Sequence, residues 1–154
     1  MQVALRGVVE SCSSGAHGKR IELLFSLPEP PIVIEADPAR FDQIFVNLVN
    51  NAIKYTPAGG RISVKATVVG AEALIVVEDT GIGIGAEMLP KIFEMFAQDP
   101  AARALAGGGL GIGLALVKSL AEAHGGSVQV RSGGLGRGSE FSVRLPLRQG
   151  QREA

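Results

Sequence analysis

Apolar positions along the chain follow two different periods. Between Phe41 and Ala52 they fall at Phe41, Ile44, Phe45, Leu48, Val49 and Ala52, the 3.6-residue spacing of a helix that buries one face. Asp37 followed by Pro38 supplies the start, a carboxylate at the N-cap and proline at the first helical position. The pattern stops near Thr56, before Pro57 and the Gly59–Gly60 turn. RISVKATVV and ALIVVED then read as two strands of a hairpin joined around VGAEA. A second helical pattern runs from about Gly111 to Ala123 and closes at His124, Gly125 and Gly126. SVQVRS and the alternating SEFSVRLPL follow as a final hairpin through GGLGRG.

The N-terminal third is less regular. Val3, Leu5, Val8 and Val9 fit the end of a helix, which the small polar run SCSSGAHG is expected to break. IELLFSL and, beyond PEPP, the short run IVIEA read as adjacent, edge-like strands. From 80 to 109 periodicity fades, apart from a short helical piece near Met88 and the aromatic pair Phe93 and Phe96. A connection that long inside a compact domain reads as a lid. The order of elements is that of an α+β fold, a mixed or antiparallel sheet with helices over one face. Residues 1–147 form one domain, and 148–154 are a tail or linker.

Composition narrows the function classes. The chain has 154 residues, 46% of them hydrophobic, enough for one domain with a real core. Fifteen basic residues balance fifteen acidic ones, so no overall field recruits nucleic acid or an anionic membrane surface. The lone Cys12 can form no internal disulfide, which fits a reducing compartment, and the cysteine spacings of metal sites are absent. No apolar run approaches the roughly 20 residues that cross a bilayer, so a cytoplasmic location is expected, with any membrane anchor in a larger parent.

Chemistry concentrates in three places. Asn47, Asn51 and Lys54 fall at i, i+4 and i+7 on the predicted helix, a polar stripe beside its apolar face. Two carboxamide oxygens suit a hard cation such as Mg2+ that also holds phosphates, and the lysine supplies a point charge for a phosphate. A solvated helix face has the same pattern. Asp79 ends the strand ALIVVED and precedes Gly81 and Gly83, glycines that permit φ > 0 and close approach of backbone to a ligand. A carboxylate there can accept from an exocyclic amine, favouring adenine over guanine, or can hydrogen-bond its own backbone in a turn. Gly109, Gly111 and Gly113 open the next helix, where free N–H groups and the helix dipole favour anions. A dinucleotide fingerprint is a poor fit, because Pro90 interrupts the helix that should follow Gly81–Gly85, and no Walker A loop is present.

With those residues placed, the chain resembles the catalytic ATP-binding domain of sensor histidine kinases, within the superfamily that includes gyrase B, Hsp90 and MutL. The motifs occur in order: NLVNNAIKYTP, EDTGIGI, IFEMF, GGGLGIGLAL and GRGSEFSVRLPL. The resemblance implies a two-layer sandwich, with a mixed sheet of about five strands covered on one face by about three helices. It implies ATP and Mg2+ as ligands. Asn51, assisted by Asn47, would hold the metal against the phosphates; Lys54 would contact phosphate, and Tyr55 would line the pocket. Asp79 would accept the adenine amino group, supported by Gly81 and Gly83, with Ser139 of the last motif approaching the same pocket. The ATP lid would span about 84 to 110. Gly109, Leu110, Gly111, Gly113 and Leu114 would wrap the nucleotide.

The resemblance also implies partners. ATP-hydrolysing relatives carry a glutamate base where this chain has Asn47, and an amide cannot take a proton from water, so slow hydrolysis is expected. The γ-phosphate would go instead to a histidine on a separate dimerisation domain, and onward to a response regulator. Neither His17, read as a turn residue, nor His124, read as a helix-end residue whose charge suits the dipole, resembles that acceptor. The isolated domain is expected to be monomeric and its parent a homodimer, with no nucleic acid and no direct membrane contact. The rival readings are a serine-kinase switch of the same superfamily and a degenerate nucleotide-binding module.

Overall fold

A computed structural model describes residues 1–94 and 113–148. Its elements are α1 (Gln2–Gly18), β1 (Glu22–Ser26), α2 (Pro38–Tyr55), β2 (Arg61–Val69), β3 (Glu72–Asp79), a 3-10 turn (Leu89–Lys91), α3 (Gly113–Ala123), β4 (Ser127–Arg131) and β5 (Ser139–Pro146). The five strands form one sheet in the order β1-β2-β3-β5-β4. Only β1 and β2 run parallel. A parallel pair needs a crossover, and α2 supplies it.

The two hairpins, β2–β3 and β4–β5, stand as their alternating patterns predict. Ile62, Val64, Ala73, Ile75, Val77, Phe141, Val143 and Leu145 are all buried on one face of the sheet. Against them α2 lays Phe41, Ile44, Phe45, Leu48, Val49 and Ala52, every one of them buried. Burial of a large aliphatic or aromatic side chain contributes about 1.5–3 kcal/mol, so this stripe is what holds α2 to the sheet. At its start, Asp37 accepts from the backbone N–H of Ala39 at 2.9 Å and Arg40 at 3.3 Å.

Two expectations fail in the N-terminal third. SCSSGAHG does not break α1, which runs through it to Gly18. Cys12 and Ala16 continue the buried row of Leu5, Val8 and Val9, so packing against the core outweighs the poor propensity of the serines and glycines. Ser11 and Ser13 turn their hydroxyls back onto the carbonyls of Val8 and Glu10. His17 accordingly lies in the last turn of α1 and not in a loop. Burial pushes the Cys12 thiol pKa up, which makes it inert.

IVIEA is the second failure. It is not a strand beside β1, because β1 pairs with β2. Ile34 makes a single antiparallel bridge to Leu147, while Ile32 fills the core. The segment is instead anchored to α1: Gln2 accepts from the Ile32 N–H at 2.9 Å and donates to the Pro30 carbonyl at 2.6 Å. Among the described residues no helix is long and apolar enough to cross a membrane.

Candidate nucleotide site

The end of α2 and the end of β3 meet at one corner of the sandwich. Asn47, Asn51, Lys54 and Tyr55 are half-buried, flanking the apolar stripe of α2 as their spacing predicts. The Lys54 ammonium lies 5.6 Å from the centre of the Tyr55 ring. Burial raises the Tyr55 phenol pKa, which keeps it neutral. Tyr55 also accepts from the Ile82 N–H at 3.1 Å, tying the last turn of α2 to the loop that follows β3.

Asp79 is buried at 7% exposure, and its register partners, Ile62 and Ser139, place its side chain on the helix-covered face. One carboxyl oxygen, Oδ1, accepts from the Gly81 N–H at 2.8 Å, and the other, Oδ2, accepts from the Ser139 hydroxyl at 2.6 Å. The turn reading and the pocket reading of this aspartate are thus compatible. Burial, the largest influence, raises the carboxyl pKa; the hydrogen bonds from Ser139 and Gly81 oppose the rise, and Glu78 adds to it.

The two glycines of the loop serve for different reasons. Gly83 has φ +73°, and a Cβ there would run into the Gly134 carbonyl. Gly81, contrary to expectation, does not take positive φ. It is required by space, since a Cβ would overlap the Tyr55 carbonyl and lie 2.8 Å from Asp79 Oδ1 and 2.9 Å from Thr56 Oγ1. The loop is joined to the β4–β5 turn by the N–H of Gly136 donating to Ile82 and that of Gly138 donating to Gly81.

Three further residues hold this corner. Lys19, at the end of α1, donates to the carbonyls of Ile53 and Lys54 at 2.9 and 3.0 Å and so caps the turn of α2 that carries Lys54 and Tyr55. Ser132 accepts from the Ile84 N–H at 3.0 Å and donates to the Gly138 carbonyl at 2.6 Å. Thr56 caps α2 with its hydroxyl fully buried. Nothing local in the chain marks Lys19, whose partners lie 34 and 35 positions away, or Ser132, which ties Ile84, 48 positions away, to Gly138. Thr56 was legible only as the end of the helix.

Other expected residues are placed differently. Gly113 and Leu114 open α3, which packs on α2. Gly109, Leu110, Gly111, Phe96 and most of the expected lid lie outside the described residues. Phe93 stacks edge-on to Phe141 at 6.1 Å and so fills the core rim. His124 is at the end of α3 but is not a charged cap: its Nε2 accepts from the Asp37 N–H at 3.2 Å, leaving Nδ1 to donate to the Leu120 carbonyl at 2.8 Å. That pattern requires a neutral ring, which locks α3 to the start of α2. Two open grooves of about 380 and 370 Å3 reach Asp79 from β1–β2 and from the β4–β5 turn. Their wall residues Ser63, Lys65, Glu78 and Glu140 alternate with the core positions, so both lie mainly on the uncovered sheet face, away from the Asp79 carboxyl.

Among the described residues no three His, Cys, Asp or Glu side chains cluster as a metal site. Oxygen donors near the corner are the carboxamides of Asn47 and Asn51, which fit a hard cation shared with phosphate oxygens.

A buried carboxylate at a strand end, a glycine loop closed against it and a neighbouring stripe of carboxamides and lysine thus stand together at one corner of the fold. The family model described as histidine kinase-, DNA gyrase B-, and HSP90-like ATPase matches residues 36–149, and the chain belongs to that family. Its relatives are histidine kinases: it is 38% identical to the histidine protein kinase DivJ of Caulobacter vibrioides over 96% of this chain and 24% of the relative. It is 41% identical to the circadian input-output histidine kinase CikA of Synechococcus elongatus over 74% of this chain and 15% of the relative. The chain therefore spans a quarter or less of the length of these relatives. Among solved structures, full-length ShkA in complex with AMPPNP superposes with a TM-score of 0.80 at 37% identity, covering 94% of this chain and 29% of that one. The catalytic domain of the histidine kinase ThkA gives 0.81 at 25% identity, covering 94% and 92%. The architecture is that of an ATP-binding catalytic domain of the histidine kinase class.

Proposed function

We propose that this chain holds Mg-ATP and presents its γ-phosphate to a histidine on a separate dimerisation domain of the parent kinase, from which a response regulator takes it. The observation that carries the reading is Asp79, buried and oriented through both carboxyl oxygens. In this reading it accepts from the exocyclic amine of adenine, where guanine presents a carbonyl. Ser139 and Gly81 fix the carboxylate's direction, and the junction of Tyr55 with Ile82 sets the height of α2 beside it.

Asn51 and Asn47 offer amide oxygens to Mg2+, and Lys54 offers its ammonium to a phosphate. When bound, the metal supplies charge neutralisation on the phosphate oxygens. The chain's own contribution is orientation, because Asn47 has no basicity with which to activate water. A γ-phosphate held without a base beside it survives until an acceptor histidine arrives. Calorimetric titration with ATP, ADP and GTP, with and without Mg2+, tests the pocket. Adenine-selective binding is the expected result, and no binding to any of them rejects the reading. Incubation with ATP and a dimerisation domain bearing the acceptor histidine then tests transfer, read as acid-labile phosphate on that partner.

A further inference from the structure

α3 packs on α2 and buries Val117, Leu120 and Ala121. Burial of apolar surface is non-directional, so it holds the two helices together without fixing how far one has slid along the other. A directed contact stands at one end. Among the described residues, the hydrogen bond between these helices is the one from the Asp37 N–H, at the N-cap of α2, to His124 Nε2, just past the end of α3. The imidazole is aimed from within α3, since Nδ1 donates to the Leu120 carbonyl one turn back. Beyond it the chain turns at Gly125, with φ +75°, and the Gly126 N–H donates back to Ala121 at 2.9 Å. A Cβ at Gly126 would overlap the Arg144 carbonyl, so this end of α3 is seated closely on β5.

The consequence falls at the other end of α3. Its last turn meets the first turn of α2, so the two helices run in opposite senses. The 11 residues of α3 rise about 1.5 Å each and span roughly 16 Å, and the same distance from Asp37 along α2 ends near Leu48. Gly113 and Leu114, which open α3, therefore lie at the level of Asn47 and Asn51.

We infer that His124 is a positioning residue for phosphate binding, its bond to Asp37 setting the register of α3 on α2 and so the placement of the first turn of α3 beside the carboxamides of Asn47 and Asn51. The inference rests on the Mg-ATP reading of this corner and extends it to a residue at the far end of both helices. A site that is in register only part of the time binds with an affinity reduced by that fraction. Loss of one neutral hydrogen bond lowers the fraction by up to about tenfold. Asp79 is unaffected, because its partners Gly81 and Ser139 lie outside α3.

The test compares wild type, His124→Asn and His124→Gln by calorimetric titration with ATP and by NMR titration with adenosine, with melting temperature measured in parallel. Asparagine keeps a donor near the Nδ1 position and has no atom at the Nε2 position, whereas glutamine brings an amide oxygen within reach of the Asp37 N–H. The expected result is that His124→Asn binds ATP about three- to tenfold more weakly and adenosine as wild type does. His124→Gln restores most of the ATP affinity. A histidine that only stabilises the fold gives another pattern: His124→Asn melts lower yet, below its melting temperature, binds ATP as tightly as wild type, and that outcome overturns the inference while leaving the Mg-ATP reading intact. Equal losses for ATP and adenosine overturn it too, since adenosine has no phosphate for α3 to meet. Should His124→Asn not fold, a folded His124→Gln with ATP affinity about tenfold below wild type overturns it. Failure of the wild type to bind ATP overturns both readings.

Discussion

Replacing Asp79 with asparagine separates the role of this residue in the fold from the recognition role proposed for it. Oδ1 can keep its bond from the Gly81 N–H, and the amide nitrogen that replaces Oδ2 can donate to the Ser139 hydroxyl, which turns round to accept. Both internal bonds survive, so the variant should fold. What changes is the group offered to a base, an N–H where an oxygen stood. An adenine amine then meets a donor instead of an ionised acceptor, a loss of about 1.5–3 kcal/mol and hence roughly a 10- to 150-fold rise in the ATP dissociation constant. Titration calorimetry with ATP and GTP reads this directly. Affinity for ATP within about twofold of wild type in a folded variant, well inside the cost of one such bond, refutes the assignment.

The same variant carries a pH signature. Burial raises the folded-state pKa of Asp79, so the folded chain binds the proton more tightly than the unfolded chain does. Its contribution to stability is complete below the ordinary carboxylate pKa and is lost as pH rises through the raised folded value. Asparagine has no such step. The melting temperature of Asp79→Asn should therefore gain on that of wild type as pH rises through the window just above the ordinary carboxylate range. A difference constant across that window contradicts the burial argument.

Other substitutions probe the surroundings. Asn51→Ala should abolish the Mg2+ dependence of ATP affinity, and persistence of that dependence in titrations removes Asn51 from the metal. Gly83→Ala must strain a positive φ and push on the Gly134 carbonyl, so a loss of about 1–3 kcal/mol in denaturant unfolding is expected, and a smaller loss would show that the loop relaxes easily. Lys19→Met removes two bonds to the last turn of α2 and should cost about 1–2 kcal/mol, seen as a fall of a few degrees in melting temperature, with Lys19→Arg restoring part of it. An unchanged melting temperature for Lys19→Met would mean that solvent caps the helix equally well.

Local periodicity made α2 and both hairpins legible, because each buries residues at the spacing its own backbone imposes. The N-cap at Asp37 was legible for the same reason, as its partners are two and three residues away. Periodicity misled where packing and local propensity disagreed. In α1, Cys12 and Ala16 were the informative positions among serines and glycines, and the core decided for helix. IVIEA had strand-like residues but no partner strand along its length, only the bridge from Ile34 to Leu147.

The sequence by itself determined which groups this corner contains: Asn47, Asn51 and Lys54 on one side of a helix, an aspartate at a strand end, and glycines where backbone must pass closely. Those are consequences of order and spacing along one element. Only the tertiary structure decided that Ser139, sixty residues on, hydrogen-bonds Asp79, that Lys19 caps α2, and that Thr56 is buried with its hydroxyl aimed at Gly81. Each of those depends on which strands and helices become neighbours, a choice made by burial of the whole core and recorded in no single segment of the chain.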